Sequence, residues 1–341
     1  MQKKFGRQSV KFNNKIYIIS TASTVGPKEG EGPLKDFFDI ILEDSLYGEQ
    51  SWEKSESKII KQTFIKVLEK ANISKQNIDY IISGDLLNQN TASTFGIKDF
   101  NIPFFGIFGA CSTIGEGMSL GALLIDGGFA NNILVGASSH FCASEKQFRF
   151  PLELGTQRTP TSTWTVTGQG SLVLSNKKNK NKICPCITKI TTGKIIDMGI
   201  TDPNNMGAAM APAAFDCIYA HFKDLNISPD YYDLIITGDL GYVGHELVIK
   251  MFEEKNINIQ KNYSDCGILI FDKDKQETQS GGSGCAWSAV TFAGYLYKKL
   301  EQKALNKILF VPTGALMSPT STQQGETIPG IAHAIAIENL E

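Results

Sequence analysis

Apolar residues recur along this chain with two periods. Short apolar runs rich in β-branched and aromatic residues read as buried strands over 16–20, 79–85, 104–108, 132–137, 165–174, 183–191, 233–240 and 307–313. Between them lie helical stretches. Over 52–70, Ile59, Ile60, Phe64, Val67 and Leu68 fall on one face of a surface helix. The stretch 207–222 is an Ala-rich helix, and 37–44 is amphipathic. Gly and Pro break the segment 26–33, and Asn opens the turn 72–77. Strands alternating with helices predict mostly parallel sheets covered by helices.

The stretch 102–140 is the most distinctive. A short apolar run, 104–108, suits a fully buried strand. Gly109, Ala110, Cys111 and Ser112 make a tight turn, and 113–125 is a helix small or apolar nearly all round. Gly115, Gly117 and Gly121 each lower helix propensity by about 1 kcal/mol relative to Ala, which predicts close approach by another backbone. Cys111 thus stands where a strand hands over to a helix N-terminus. Such a place lowers a thiol pKa and stabilises a developing oxyanion. A small Cys that merely packs is the other reading.

The second part of the chain repeats the first. Residues 79–86 read D-Y-I-I-S-G-D-L and residues 233–240 read D-L-I-I-T-G-D-L, differing only at the second and fifth places. Residues 281–297 again give a small-residue turn with a cysteine, Cys285, entering a helix. This is an internal duplication, with halves 1–180 and 181–341 meeting in the Lys/Asn-rich loop 176–182.

Composition narrows the function classes. The formal net charge is −2, which argues against a nucleic-acid partner. No apolar run approaches the roughly 20 residues of a membrane span, and the basic N-terminus lacks a signal-peptide core. The seven cysteines are odd in number and scattered, as in a reducing compartment. Cys184 and Cys186 lack partners at metal-ligand spacing, so no metal site is expected. Arginine is confined to Arg7, Arg149 and Arg158, the last two in one short loop after the 132–137 strand.

A duplicated α/β chain with a Cys at the head of a buried helix resembles the thiolase and ketoacyl synthase superfamily. The motifs SWEKSE, GDLLNQ, FGACST, DGGFA, QFRFP, GITDPNNMGAAMAPAA, HFKDLN, GGSGCA and TGALMSPT resemble, more narrowly, the stage V sporulation protein AD family. The resemblance implies a thiolase-like fold, a duplicated five-layer αβαβα, in a homodimer formed through the first half. It implies non-catalytic binding of dipicolinic acid (pyridine-2,6-dicarboxylate), free or as its calcium chelate, for uptake into the developing spore. It further implies work with other stage V sporulation membrane proteins and a peripheral place at the forespore or spore inner membrane, with no cofactor.

Against the superfamily's pattern the chain departs in two places. A condensing enzyme needs a His beside its thiol and an Asn on the second-half loop. Here Thr237-Gly238-Asp239-Leu240 and Gly281-Gly282-Ser283-Gly284 stand there. An ionised Asp repels an enolate rather than stabilising it. Cys111 is then a vestigial nucleophile in a binding site. The alternative is a thiol-dependent acyl-transfer enzyme using Cys111 with His140 or His245; a scaffold for membrane partners is a third reading. The ligand-binding candidates are Cys111, Ser112, His140, Arg149, Arg158, Met206, Gly207, Gly282 and Ser283. Backbone N–H groups at Cys111 and Ser112 would take one carboxylate and Arg149 the other, with Phe148 and Phe150 walling the ring. Asp85 and Asp239 are expected to cap their turns, with calcium binding as the other possibility. His221 and His333 are read as having no chemistry.

Overall fold

The computed structural model describes residues 2–149, 158–179 and 182–340. The first half runs β1 (Ser9–Val25), α1 (Trp52–Ala71), β2 (Tyr80–Gly84), α2 (Thr91–Ile97), β3 (Phe104–Gly106), α3 (Thr113–Asp126), β4 (Asn132–Ser139), α4 (Phe141–Phe148) and β5 (Gly168–Ser175). The second runs β6 (Cys186–Thr192), α5 (Met206–Leu225), β7 (Leu234–Thr237), α6 (Gly241–Glu253), β8 (Tyr263–Asp265), α7 (Trp287–Thr291), a π-helical turn Phe292–Leu296, α8 (Tyr297–Glu301), β9 (Lys307–Val311) and β10 (Gly330–Glu338).

The strand order is β3-β2-β4-β5-β1 in the first half and β8-β7-β9-β10-β6 in the second. In each, three parallel strands meet an antiparallel fourth, and the fifth, antiparallel to the fourth, runs the same way as the first three. The duplication is therefore carried by topology as well as by motif. Even the helix ends repeat. Asn72 and Asn226 stop α1 and α5 in the left-handed region, at φ 53° and 52°, and each leads through Ile-Ser toward the repeated strand.

The strands are buried on both faces, and their side chains alternate between two cores. In β4, Ile133 and Val135 face a central layer while Leu134 faces α1. In β9, Ile308 and Phe310 face the same central layer while Leu309 and Val311 face α5 and α6. The central layer holds α3 (Ile114, Met118, Ile125) and the Trp287–Glu301 helices (Trp287, Val290, Leu296, Leu300). The layers thus run helix, sheet, helix, sheet, helix. β1 belongs to both sheets: it pairs with β5 along Tyr17–Val25 and with β6 at Ser9–Lys11 and Ile16–Tyr17.

Three expectations change. β3 is not fully buried: among the described residues it pairs with β2 alone, and Phe105 is 47% exposed. The glycines of α3 admit side chains rather than another backbone. A Cβ at Gly117 would meet Val135 Cγ1 at 2.7 Å and one at Gly121 would meet Leu174 Cδ1 at 2.8 Å. The stretch after β4 is a helix, α4, not a loop. The boundary near residue 180 and Phe150 lie outside the described residues.

Candidate functional site

The turn before α3 is tied down locally. Ser112 gives both its backbone N–H (3.0 Å) and its Oγ (2.7 Å) to the Gly109 carbonyl, and Thr113 Oγ1 donates to the Ala110 carbonyl at 2.6 Å. Ala110 takes a left-handed φ of 49°, which turns the chain sharply into Cys111. Gly314 lies flat on this turn, where a Cβ would come within 2.2 Å of Gly109 O. Only a glycine fits there.

Cys111 lies on the wall of a small cavity of about 50 Å³ at the meeting of the two halves. Leu86, Phe108, Phe148, Met206 and Met317 give it apolar walls. Ser144, Glu145, Arg149, Thr165 and Ser283 supply polar ones. The thiol of Cys111 is not activated. Burial pushes its pKa well above the ordinary value, and Asp239 and Cys285 push it further. The helix end does not offset an enclosed site with an acid beside it.

Arg149 caps the C-terminal end of α4, and its Nε stands 3.6 Å from Glu145 Oε2. Arg158 takes the other oxygen of Glu145, at 3.1 Å through Nη2. It also donates from Nη1 to the Thr163 carbonyl at 2.9 Å and lies over the stacked rings of Phe141 and Trp164. Arg158 is thereby locked as a support for Glu145, while Arg149 reaches the cavity.

Of the residues expected at the site, Cys111, Arg149, Met206 and Ser283 line the cavity, and Ser112, His140, Arg158, Gly207 and Gly282 do not. Ser112 fails because its donors are engaged with Gly109. The His140 ring is fully buried with Nε2 2.7 Å from the Ser45 carbonyl, so it anchors the 41–50 loop. Gly207 is where α5 meets α6: a Cβ there would come 2.6 Å from Leu240 O. Gly282 lies against the Trp287 ring. Ser283 Oγ is paired with Thr163 Oγ1 at 2.7 Å.

The two turn aspartates part company. Asp85 caps as expected, accepting from Leu87 N at 2.9 Å and Ser93 N at 2.8 Å. Asp239 does not cap: it is fully buried and neither carboxylate oxygen has a partner. Burial, and then Asp265, raise its pKa well above the usual range, so it is held neutral. Asp265, which the sequence reading missed, does the capping. No group of three His, Cys, Asp or Glu side chains among the described residues could hold a metal ion. His245 stacks on Tyr263 at 4.8 Å and does not line the cavity. His221 is buried between Thr191 and Tyr232, and His333 is buried with Nδ1 accepting from Gly193 N.

The family model of stage V sporulation protein AD matches residues 6–338. Stage V sporulation protein AD of Bacillus subtilis (strain 168) is 44% identical over 333 residues, covering 98% of this chain and 97% of that protein. Among solved structures, 3-oxoacyl-[acyl-carrier-protein] synthase III from Aquifex aeolicus VF5 is similar with a TM-score of 0.56 at 13% identity, over 95% of this chain and 99% of that one. A variant of Xanthomonas campestris OleA is similar with a TM-score of 0.58 at 14% identity, over 96% and 99% of the two chains. The structural likenesses establish a thiolase-like, ketoacyl synthase III-like fold.

Proposed function

The chain belongs to the stage V sporulation protein AD family, and we propose that it serves sporulation by binding dipicolinic acid for uptake into the developing spore. The observation that carries this reading is Arg149, a guanidinium on the wall of a largely apolar cavity and next to Phe148. A planar dianion asks for a cation, a ring wall and little else.

The same geometry supports binding over catalysis. Cys111 keeps the nucleophile's place, but burial raises the pKa of its thiol and favours the protonated form. His140 and His245, the bases the acyl-transfer alternative requires, both face other partners. The ligand enters as the free dianion or as its calcium chelate, working with membrane proteins of the same sporulation stage. No helix among the described residues is long and apolar enough to cross a membrane. Attachment at the inner spore membrane is then peripheral and partner-dependent.

A second copy completes the molecule. Among the described residues β3 leaves one edge unpaired, and Phe105 on it and Phe108 just after it are 47% and 48% exposed. An open strand edge with exposed aromatics favours an isologous pairing of two copies.

Titration calorimetry with dipicolinate, with and without calcium, tests the binding reading. Saturable one-site binding is expected. Its absence at millimolar ligand, or transfer of an acyl group from a thioester to Cys111 with turnover, overturns it.

A further inference from the structure

Ser144 sits in α4, five residues before Arg149. Its backbone N–H donates to the His140 carbonyl at 2.9 Å, as helix geometry requires. The residue lines the cavity and is 3% exposed, and its Oγ, itself buried, has no hydrogen-bond partner. Serines inside helices commonly turn back onto the carbonyl one turn earlier. Ser144 does not. A buried hydroxyl left unpaired is costly unless something else meets it.

Two of the other polar groups on the wall are engaged. Both oxygens of Glu145 face arginines, and Ser283 Oγ is paired with Thr163. Among the buried polar side chains without a partner, Ser144 is the one that lines the cavity. Ser144 and Arg149 both line the cavity from one helix and its C-terminal end; five residues apart at about 100° per residue, they leave that helix about 140° apart around its axis. A ligand with two carboxylates splayed from one rigid ring can meet one with each.

We propose that Ser144 Oγ donates a hydrogen bond to the second carboxylate of the bound ligand, so that Ser144 selects dicarboxylates over monocarboxylates. This rests on the reading that the cavity binds pyridine-2,6-dicarboxylate through Arg149. The hydroxyl stands ready and the ligand completes its hydrogen bond.

The test is calorimetry on the full chain with two probes, pyridine-2,6-dicarboxylate and pyridine-2-carboxylate, using wild type, Ser144→Ala and Arg149→Ala. Ser144→Ala should weaken the dicarboxylate by about five- to tenfold, the range of a single neutral hydrogen bond, and leave the monocarboxylate unchanged. Arg149→Ala should weaken both. The thermal midpoint of unliganded Ser144→Ala should equal or exceed that of wild type, because the hydroxyl supports no protein contact. Unchanged dicarboxylate affinity in Ser144→Ala, equal loss for both probes, or a lowered midpoint without ligand overturns the assignment while the binding reading stands. Failure of wild type to bind either probe instead removes the binding reading, and the assignment with it.

Discussion

Asp265 closes the turn after β7 that Asp239 leaves alone. Its Oδ1 accepts from Gly241 N at 2.9 Å and Gly267 N at 2.8 Å, and its Oδ2 accepts from Thr237 Oγ1 at 2.7 Å and Leu240 N at 3.2 Å. Asp239, in the turn itself, has neither oxygen bonded. One carboxylate is held by four donors, and the other is left as a neutral acid among buried thiols.

That neutrality has a pH signature. The pKa of Asp239 is raised in the folded chain, so between its unfolded value near 3.8 and its folded value the native state holds the extra proton. Stability from this group is full below 3.8 and is lost as pH rises toward the folded pKa. Asp239→Asn removes the dependence. The variant should be more stable than wild type at neutral pH, with the gain shrinking as pH falls toward the carboxyl range. Urea denaturation across that range checks it; a gain independent of pH contradicts the neutral-acid assignment.

Arg149 and Arg158 should separate binding from stability. Arg149→Ala should weaken dipicolinate binding by about 1.5–3 kcal/mol, the range for a charge-assisted hydrogen bond. Arg149→Lys should lose less, because the charge stays while the planar fork goes. Cys111→Ser should have a small effect. Calorimetry on these three variants gives the order; unchanged affinity in Arg149→Ala removes it from the site.

Arg158→Ala acts on the fold instead. It leaves one oxygen of the buried Glu145 unpaired and strips the cover from Phe141 and Trp164. Breaking a buried pair this way costs about 3–5 kcal/mol. Denaturant midpoints should show a loss in that range, several times larger than for Arg149→Ala.

The exposed edge predicts oligomer state. Phe105→Asp places a charge on the open β3 edge and should yield monomers where wild type sediments as dimers at micromolar concentration. Wild type sedimenting only as monomer would remove the proposed pairing.

Cys111 should react slowly with haloacetamide at neutral pH and faster as pH rises, because the thiolate is the nucleophile and its pKa is raised. The half-buried Cys142, nearer solvent, should be labelled first. Mass spectrometry of the labelled peptides gives the order; rapid labelling of Cys111 at neutral pH would revive an activated thiol.

Much of the architecture was legible in the residues. The repeated D-x-I-I-x-G-D-L placed β2 and β7 at equivalent points, and the Cys turn fixed the head of α3. The binding wall was harder. Phe104–Gly106 looks like a core strand because an apolar run does not tell an interior neighbour from an absent one. Phe141–Phe148 is only eight residues long and mixes Cys, Ser, Glu, Lys and Gln, so neither α4 nor Ser144 stands out in the sequence. The motif singles out Asp239, but the donors that decide between capping and orphaned acid gather on Asp265 from residues 237–267. His140 and Ser112 have the right type and place for a binding site; their partners, Ser45 and Gly109, show only in space.

The strand shared by both sheets has a consequence for how the molecule comes apart. Because β1 is hydrogen-bonded to β5 and to β6, the duplicated halves do not form separable modules. Pulling them apart strips one side of β1 and bares an apolar strand edge on each half. Thermal or chemical melting is therefore expected to pass through a single cooperative transition, and either half made alone would offer that raw edge to its neighbours and aggregate.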